Sequence, residues 1–369
     1  MTKSTRYTAL EDRHRALGAE IDDWNGMGMV MEYDQDVNDE HLAVRSSACL
    51  LDVSGLKKVH ILGPDALAVA DHLITRDMTK IPAGRSVYAI ILNEDGGFTD
   101  DCIMFNLAPN HLLLVHGSGT AMERLEESAR GRDVSIRFDD DLHDISLQGP
   151  KSLEVLIEHT PMNLEALRYF SQEATTLFGH DCLISRTGFS GERGYEIFAK
   201  AKDIGPIWDN ILEYGKSIGV IPGSFACIDA VRVEAALLFY PFDMDESLTP
   251  WETGLGFAVS KKKQGNYRGK KPCLDSIGKE QIMICGVVVD SDSVVDADAE
   301  IFHEGRKVGR VTASNYSPVL HQSLALVQID VALAVPGTRV QVNGTSTSCE
   351  ATTHALPFYD PAKTRRECL

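Results

Sequence analysis

Two adjacent carboxylates follow a glycine-rich turn in the stretch DGGFTDD, which ends at Asp100 and Asp101. Apolar runs on both sides, SVYAIILN (Ser86–Asn93) and CIMFNL (Cys102–Leu107), predict a β-hairpin, because glycine adopts the positive φ angles of tight turns at little cost. A carboxylate buried at the mouth of a sheet can stabilise developing positive charge or shuttle a proton. A polar turn that anchors the end of a strand is the commoner explanation, and the pattern alone leaves both open.

A third carboxylate, Glu196, lies within the apolar strand-like run GYEIFA, which follows the turn RTGFSGER. A carboxylate in the middle of a strand is costly unless it is paired. Its two acceptor oxygens suit a planar pair of N–H donors, such as arginine or the N3–H and 2-amino group of a pterin. Taken alone, an exposed glutamate on an edge strand is the more common interpretation.

The sequence lacks the motifs of several catalytic classes. HGSGTAM (His116–Met122) has Met122 where a dinucleotide-binding loop needs its third glycine. Neither a GxxxxGK[ST] phosphate loop nor a GxSxG nucleophile elbow occurs. The twelve histidines form no HxH or HExxH pair, and the cysteines form no CxxC pair, so we predict no metal site.

The composition further narrows the class of protein to which the chain can belong. The chain of 369 residues is 43% hydrophobic and carries 54 acidic against 36 basic residues, a formal charge of −18. That charge repels nucleic acid and anionic lipid, so neither is an expected partner. No run approaches the ~20 apolar residues of a membrane span, and the N-terminus lacks an apolar signal region. We expect a cytoplasmic protein whose eight cysteines are reduced, most of them in the core.

Periodicity indicates an α+β fold with three parts. The strand KKVHIL (Lys57–Leu62), a helix that Asp65 could cap, the hairpin, the strand HLLLVH and a further helix make one helix-backed antiparallel unit. A second unit runs from about Leu142 to Tyr240. A third, after the basic segment KKKQGNYRGKK (Lys261–Lys271), consists of short strands typical of a small β-sandwich or barrel. We interpret the basic segment itself as a solvated connector.

Several phrases in this order closely resemble the T-protein family, the aminomethyltransferases of glycine cleavage and their tetrahydrofolate-dependent relatives such as dimethylsulfoniopropionate demethylase. They are AVRSSACLLDVSGL, NEDGGFTDD, SLQGP, SRTGFSGERGYEIF, DAVRVEAALLFYPFDMDESLTPWETGLGFAV, YRGKK and SNYSPVLHQSLALV. The resemblance spans about Trp24 to Tyr359. It implies a cloverleaf of two α+β subdomains and a C-terminal β domain around a central channel. The implied domains are residues 1–53 with 142–260, residues 54–141, and residues 272–369.

The resemblance also implies a tetrahydrofolate site. Glu196 corresponds to the glutamate that grips the pterin, and Asp101 to the carboxylate near the reacting nitrogens. Tyr88, Phe189 and Leu56 match further folate contacts, with Phe189 in place of the usual tyrosine and Leu56 in place of methionine.

Three departures from the family lie where donor and folate meet. Ile228 replaces an arginine, His116 replaces an asparagine, and Met27 replaces the tryptophan of a Gly-Trp phrase. Loss of the arginine removes a fixed charge and up to five donors. His116 could contact the donor or act as an acid or base, and a satisfied histidine at a strand end is the equal alternative.

Three functions remain open. The favoured one is a tetrahydrofolate-dependent transferase acting on a small methylated donor, a demethylase in effect. The second is the aminomethyltransferase that acts on H-protein, although an acidic chain would be steered poorly toward an acidic carrier unless the basic segment helps it to dock. The third is a folate-binding protein without transferase activity, which the two retained carboxylates disfavour.

Overall fold

A computed structural model describes residues 4–291, 294–345 and 348–366. The strands are β1 (Glu20–Trp24), β2 (Met27–Glu32), β3 (Ala48–Asp52), β4 (Lys57–Leu62), β5 (Arg85–Leu92), β6 (Phe98–Ala108), β7 (His111–His116), β8 (Ser135–Phe138), β9 (Leu142–Gln148), β10 (Gln172–Leu177), β11 (His180–Ser185), β12 (Gly194–Lys200), β13 (Val220–Gly223), β14 (Ile282–Val289), β15 (Glu300–His303), β16 (Arg306–Ser317), β17 (Gln322–Asp330), β18 (Arg339–Asn343) and β19 (Ser348–His354). The α-helices are α1 (Glu11–Ala16), α2 (Val37–Ser46), α3 (Ala66–Leu73), α4 (Ala121–Ala129), α5 (Ser152–Leu156), α6 (Ala201–Gly215), α7 (Phe225–Glu234) and α8 (Lys270–Asp275). The predicted α+β fold is confirmed.

The first sheet joins strands that are distant in sequence, in the order β10-β11-β12-β9-β3-β13. Alternation along β12 gives this sheet two different faces. Tyr195 and Ile197 enter a core with the apolar face of α6, including Trp208, whereas Glu196 and Phe198 point the other way. β12 lies between β11 and β9, so the interpretation of Glu196 as an edge-strand residue is wrong.

The second sheet has the order β5-β6-β7-β4-β8 and contains the predicted hairpin as β5 and β6. Its back face packs on α3 and α4, with Val59, Ile61 and Leu114 in that core. Asp100 and Asp101 lie within β6, which begins at Phe98, and not in the turn. Asp65 occupies the N-cap position of α3 as predicted, but its side chain makes no capping hydrogen bond to the helix. Its carboxylate instead accepts the backbone N–H of Asp133 at 2.9 Å.

The two sheets face each other. Phe105, Leu113 and Val115 of the second sheet pack against Phe198 of the first, with ring centroids of Phe105 and Phe198 5.5 Å apart. Helix α7 and the segment after it complete the wall at one end of this contact. The space between the sheets is therefore enclosed by side chains of both.

The C-terminal strands form a closed barrel in the order β14-β17-β16-β15-β18-β19. The prediction of a small all-β unit is confirmed, and it closes as a barrel rather than a sandwich. Strand β19 was missed by the sequence analysis, because its run SCEATTH lacks the apolar alternation of the other strands. The three domain ranges given above stay our proposal.

The interpretation of residues 261–271 as a solvated connector is wrong for the middle of the segment. Lys263 is buried, and its Nζ donates to the carbonyl oxygens of Asp71, Ile74 (2.9 Å) and Arg76 (2.7 Å). It also forms an ion pair with the Asp71 carboxylate at 3.1 Å. Arg268 and Lys271 are paired with acidic side chains as well, whereas Lys261 and Lys262 are exposed, as expected for a solvated connector.

The cysteines are reduced where the structure describes them. Seven are free thiols, six of them buried, and Cys368 lies outside the described residues. No helix in the described ranges is long and apolar enough to cross a membrane.

Replacing Lys263 tests its structural role. Lys263→Met leaves the Asp71 carboxylate and three carbonyl groups without their buried cation, so the free energy of unfolding should fall by about 3 kcal/mol. Urea denaturation of the full chain measures this. Lys262→Met, at the exposed neighbouring position, should stay within about 0.5 kcal/mol of wild type. Equal stability of the two variants would contradict the buried role of Lys263.

Candidate active site

One cavity between the two sheets brings together all the predicted site residues. Its wall includes Leu56, Tyr88, Asp101, His116, Phe189 and Glu196. It encloses about 1350 Å³ of empty space, part of which is open to solvent. A cavity of this kind, mostly apolar with a few convergent polar groups, is the usual form of a small-molecule site.

Glu196 enters the cavity from the first sheet. It lies opposite Ser185 and Ser146 on the neighbouring strands and accepts a hydrogen bond from the Thr187 hydroxyl. Burial raises the pKa of its carboxyl, and no cation opposes this; the Thr187 hydrogen bond lowers it in part. Glu196 therefore offers acceptor oxygens to the cavity without a counter-ion from the described residues.

A further buried carboxyl, Asp144, lies on β9 opposite Phe198, two residues from the position opposite Glu196. Neither of its carboxylate oxygens has a hydrogen-bond partner among the described residues. Burial and the proximity of Glu196 raise its pKa well above the ordinary value. A neutral Asp144 limits the negative charge that accumulates beneath Glu196.

Asp101 and Tyr88 enter from the second sheet. The Tyr88 hydroxyl donates to Asp101 Oδ2 at 2.9 Å. Burial and the neighbouring Asp100 raise the pKa of Asp101 to about 7, and burial with Asp101 raises the pKa of Tyr88 well above its ordinary value. Tyr88 therefore stays a donor, while Asp101 can take up or release a proton near neutral pH.

His116 is held by the other aspartate of the pair. Its Nδ1 lies 2.9 Å from Asp100 Oδ2, and the Asp100 carboxylate also accepts the backbone N–H groups of Asp101 (2.9 Å) and Ala121 (3.1 Å). Asp100 thus accepts the first backbone N–H of α4, a structural role that differs from the predicted anchoring of a strand end. In neutral His116 the Nδ1–H donates to Asp100, which leaves Nε2 as an acceptor.

The free nitrogen of His116 is the notable part of this arrangement. His116 is buried, lines the cavity, and its Nε2 has no hydrogen-bond partner among the described residues. The alternative, a histidine whose ring nitrogens both have hydrogen-bond partners, therefore holds for Nδ1 and not for Nε2. Gly119 permits the arrangement: a Cβ there would lie 2.2 Å from the Thr99 carbonyl oxygen and 2.5 Å from Asp100 Cγ.

The sequence analysis missed three aromatic rings, which we call the aromatic triangle: Trp24, Phe225 and Phe239. All three line the cavity. Their ring centroids lie 6.0 to 6.2 Å apart. No local motif could predict the triangle, because its rings come from distant parts of the chain: Trp24 ends β1, Phe225 begins α7 and Phe239 follows α7.

Helix α7 brings a charged pair to the same wall. Asp229 and Arg232 line the cavity, as does Ile228, and the Arg232 guanidinium lies 2.7 Å from Asp229. Arg232 is also paired with the buried Asp243. The spacing of three residues on a helix is the one signal from which the Asp229–Arg232 pair could have been predicted.

A titration of stability tests the position of Asp101. Its pKa is about 7 in the folded chain against an ordinary value of 3.8. Folding therefore takes up a proton between these values, so the free energy of unfolding falls as pH rises from about 4 to 7. Asp101→Asn removes this proton uptake, and its stability relative to wild type should rise by up to about 1.4 kcal/mol per pH unit in that window.

Urea denaturation between pH 4 and 8 measures this difference. The control is Asp95→Asn, an exposed position in the same hairpin, which should follow wild type at every pH. A difference between Asp101→Asn and wild type that does not change with pH would contradict the raised pKa.

Comparison with known proteins agrees with this architecture. Residues 10–263 match the family described as the GCVT N-terminal domain, and residues 283–360 match the glycine cleavage T-protein C-terminal barrel domain. The solved structure of the glycine cleavage system aminomethyltransferase T from Bartonella henselae matches with a TM-score of 0.89 and 27% identity, covering 97% of this chain and 99% of that one.

Two relatives among the curated proteins match over nearly their whole length. The heme-dependent oxidative N-demethylase gamma subunit of Ectopseudomonas mendocina is 46% identical, with 99% of each chain covered. The aminomethyltransferase of Streptomyces avermitilis is 33% identical, covering 97% of this chain and 98% of its own. These matches, together with the two family domains, cover both the α+β part and the barrel.

Proposed function

We propose that this chain, which belongs to the glycine cleavage T-protein family, transfers a one-carbon unit from a small methylated donor to tetrahydrofolate. The observation that carries the proposal is the pair of carboxylates, Glu196 and Asp101, which enter one apolar cavity from opposite sheets. Their surroundings give them different chemistry, and each suits one half of such a reaction.

The wall near Glu196 fits a reduced pterin. Two acceptor oxygens without a cationic partner match the paired N–H donors of the pterin edge, a charge-assisted arrangement that is stronger than a neutral one. Phe189 supplies an aromatic face and Leu56 an apolar contact to the same cavity. Bound here, tetrahydrofolate supplies a nucleophilic nitrogen that accepts the one-carbon unit.

Asp101, Tyr88 and His116 supply the polar groups for the transfer. With a pKa of about 7, Asp101 can accept a proton from the reacting nitrogen or stabilise a cationic donor. The Tyr88 hydroxyl fixes the orientation of that carboxylate, and the unpaired Nε2 of His116 is available as a second proton acceptor. A fixed charge of this kind is typically responsible for about 10²–10³ in rate.

An N-methyl amine is the favoured source of the carbon. The relative at 46% identity is the gamma subunit of an oxidative N-demethylase, and we propose that this chain likewise works beside a partner that oxidises the methyl group. A heme-dependent oxidative partner, such as the relative's name implies for that protein, would remove two electrons and bring the carbon to the level of formaldehyde. Condensation of that carbon with two nitrogens of tetrahydrofolate would then give the methylene group and release one water. Capture would also keep a reactive one-carbon product from escaping.

Action on H-protein is the second candidate, and the relative at 33% identity named aminomethyltransferase favours it. Lys263 is buried and Arg268 and Lys271 form ion pairs, which reduces the basic surface of residues 261–271 that an acidic carrier could use to the exposed Lys261 and Lys262 and the partly exposed Lys270. The third candidate, folate binding without transfer, leaves the Asp101–Tyr88 pair and the free Nε2 of His116 without a role.

Two variants separate binding from turnover. Glu196→Ala should abolish tetrahydrofolate binding, because the pterin loses its only carboxylate partner. Asp101→Asn should keep that binding and lose about 10²–10³ in turnover. Calorimetry with tetrahydrofolate measures the first effect, and single-turnover assays measure the second. Unchanged turnover in Asp101→Asn would exclude the role given to Asp101.

A donor panel identifies the reaction. The chain is incubated with tetrahydrofolate and methylated amines, sulfoniums, methoxy-aromatics, formaldehyde or H-protein carrying its aminomethyl group. Formaldehyde condenses with tetrahydrofolate without a catalyst, so every rate is compared with that of the protein-free mixture. We expect 5,10-methylene product above that background from formaldehyde or an oxidised N-methyl amine, and 5-methyl product if the methyl group moves intact. Acceleration with H-protein alone would favour the second candidate, and no acceleration with any donor would favour the third.

A further inference from the structure

We propose that the aromatic triangle of Trp24, Phe225 and Phe239 is a binding subsite for a methylated ammonium group that carries no carboxylate. The inference rests on the proposed function and adds the chemical class of the donor to it. It identifies where the amine part of the donor binds, on the same cavity wall that carries Ile228 and Asp229.

The spacing of the rings suits a small cation. The centroids of Trp24 and Phe225 are 6.0 Å apart, those of Trp24 and Phe239 are 6.2 Å apart, and those of Phe225 and Phe239 are 6.0 Å apart. The rings are mutually tilted by 37° to 52° and none is stacked on another. A cation over the middle of this triangle lies within about 6 Å of all three centroids, the range of cation–π attraction.

The backbone holds the rings in place. Trp24 rests on Gly55, where an added Cβ would lie 2.6 Å from Trp24 Cε3. Phe225 is fixed by the start of α7, whose first turn is capped by Ser224. All three rings keep part of their surface exposed while lining the cavity, so the triangle opens toward bound molecules.

The charges around the cavity favour a cationic ligand. Four carboxylates line the wall, of which Asp52 is paired with His14 and Asp229 with Arg232, while Asp101 and Glu196 have no cationic partner among the described residues. Arg232 is the sole arginine or lysine among the lining residues that the structure describes, and it is paired with both Asp229 and Asp243. Its guanidinium also lies 5.8 Å from the Phe239 centroid, so one ring of the triangle already contacts a cation.

The same charges disfavour a donor with a carboxylate. An N-methyl amino acid would bring an anion into a wall whose one guanidinium already has two carboxylate partners. A simple methylated ammonium brings only positive charge and methyl groups, and the rings accommodate both. The cost of desolvating an unpaired carboxylate in this cavity would weaken binding of the amino acid.

Probe titrations with the full-length chain test the subsite. Tetramethylammonium chloride is the probe, tert-butanol the neutral molecule of similar size, and glycine betaine the same cation with a carboxylate. Ionic strength is held constant with sodium chloride, and calorimetry reports binding. We expect saturable binding of tetramethylammonium, no detectable binding of tert-butanol, and at least tenfold weaker binding of betaine.

Variants then assign that binding to the triangle. Trp24→Leu and Phe239→Leu should each weaken tetramethylammonium binding by about 5- to 30-fold, the range of a desolvated cation–π contact. Tyr214→Leu, at a ring that is 52% exposed on helix α6, should bind the probe as wild type does. Phe225→Leu replaces either variant if that variant loses its cooperative thermal unfolding.

Tetrahydrofolate binding is measured in parallel, so that the two proposals fail separately. The subsite is excluded if wild type binds tetrahydrofolate but not tetramethylammonium, if betaine binds as well as tetramethylammonium, or if Trp24→Leu loses tetrahydrofolate and keeps tetramethylammonium. The last result would assign the rings to the folate. If wild type binds tetramethylammonium through the triangle and never binds tetrahydrofolate, the proposed function fails and the ammonium subsite stands.

Discussion

The site depends on carboxylates that are buried, out of contact with water, between two facing sheets. Glu196 and Asp101 come from different sheets and meet the same apolar cavity, where burial raises the pKa of each. Neither has a cationic partner, and each is stabilised instead by one hydroxyl, from Thr187 and from Tyr88. A hydroxyl orients a carboxylate without neutralising it, so the charge remains available to a ligand.

Several buried carboxylates elsewhere in this chain differ from these two because they have cationic partners. Burial alone would raise the pKa of Asp52, but His14 and the hydrogen bonds from Ser54 and Thr8 lower it to about 2. Asp243 is paired with Arg232, and the pKa of Glu234 is lowered, despite its burial, by His41 and Arg45. Paired carboxylates of this kind hold elements together, whereas the unpaired ones at the cavity are the candidates for binding and proton transfer.

Local signals in the sequence predicted the elements that carry the site residues. Periodicity and turn residues within about fifteen positions indicate the hairpin with Asp101, the strand with Glu196 and the strand ending at His116. The roles proposed for these residues came from the family resemblance, because the local patterns alone favoured ordinary structural roles. What could not be predicted depends on contacts between distant segments. Trp24 and Phe239 lie close together although more than two hundred residues separate them in sequence. Lys263 donates hydrogen bonds to backbone carbonyl groups within residues 71–76. Strand β19 was missed because its run SCEATTH is mostly polar and lacks the apolar alternation typical of a strand.

The most direct measurement is a crystal structure of the wild-type chain with tetrahydrofolate bound. We expect the pterin between the two sheets, with its N3–H and 2-amino group in hydrogen-bond contact with Glu196 and its reacting nitrogens on the side of Asp101. The aromatic triangle should remain free for the donor. A pterin held outside this cavity, or one inside it that leaves Glu196 without a hydrogen bond, would contradict the division of roles between the two carboxylates.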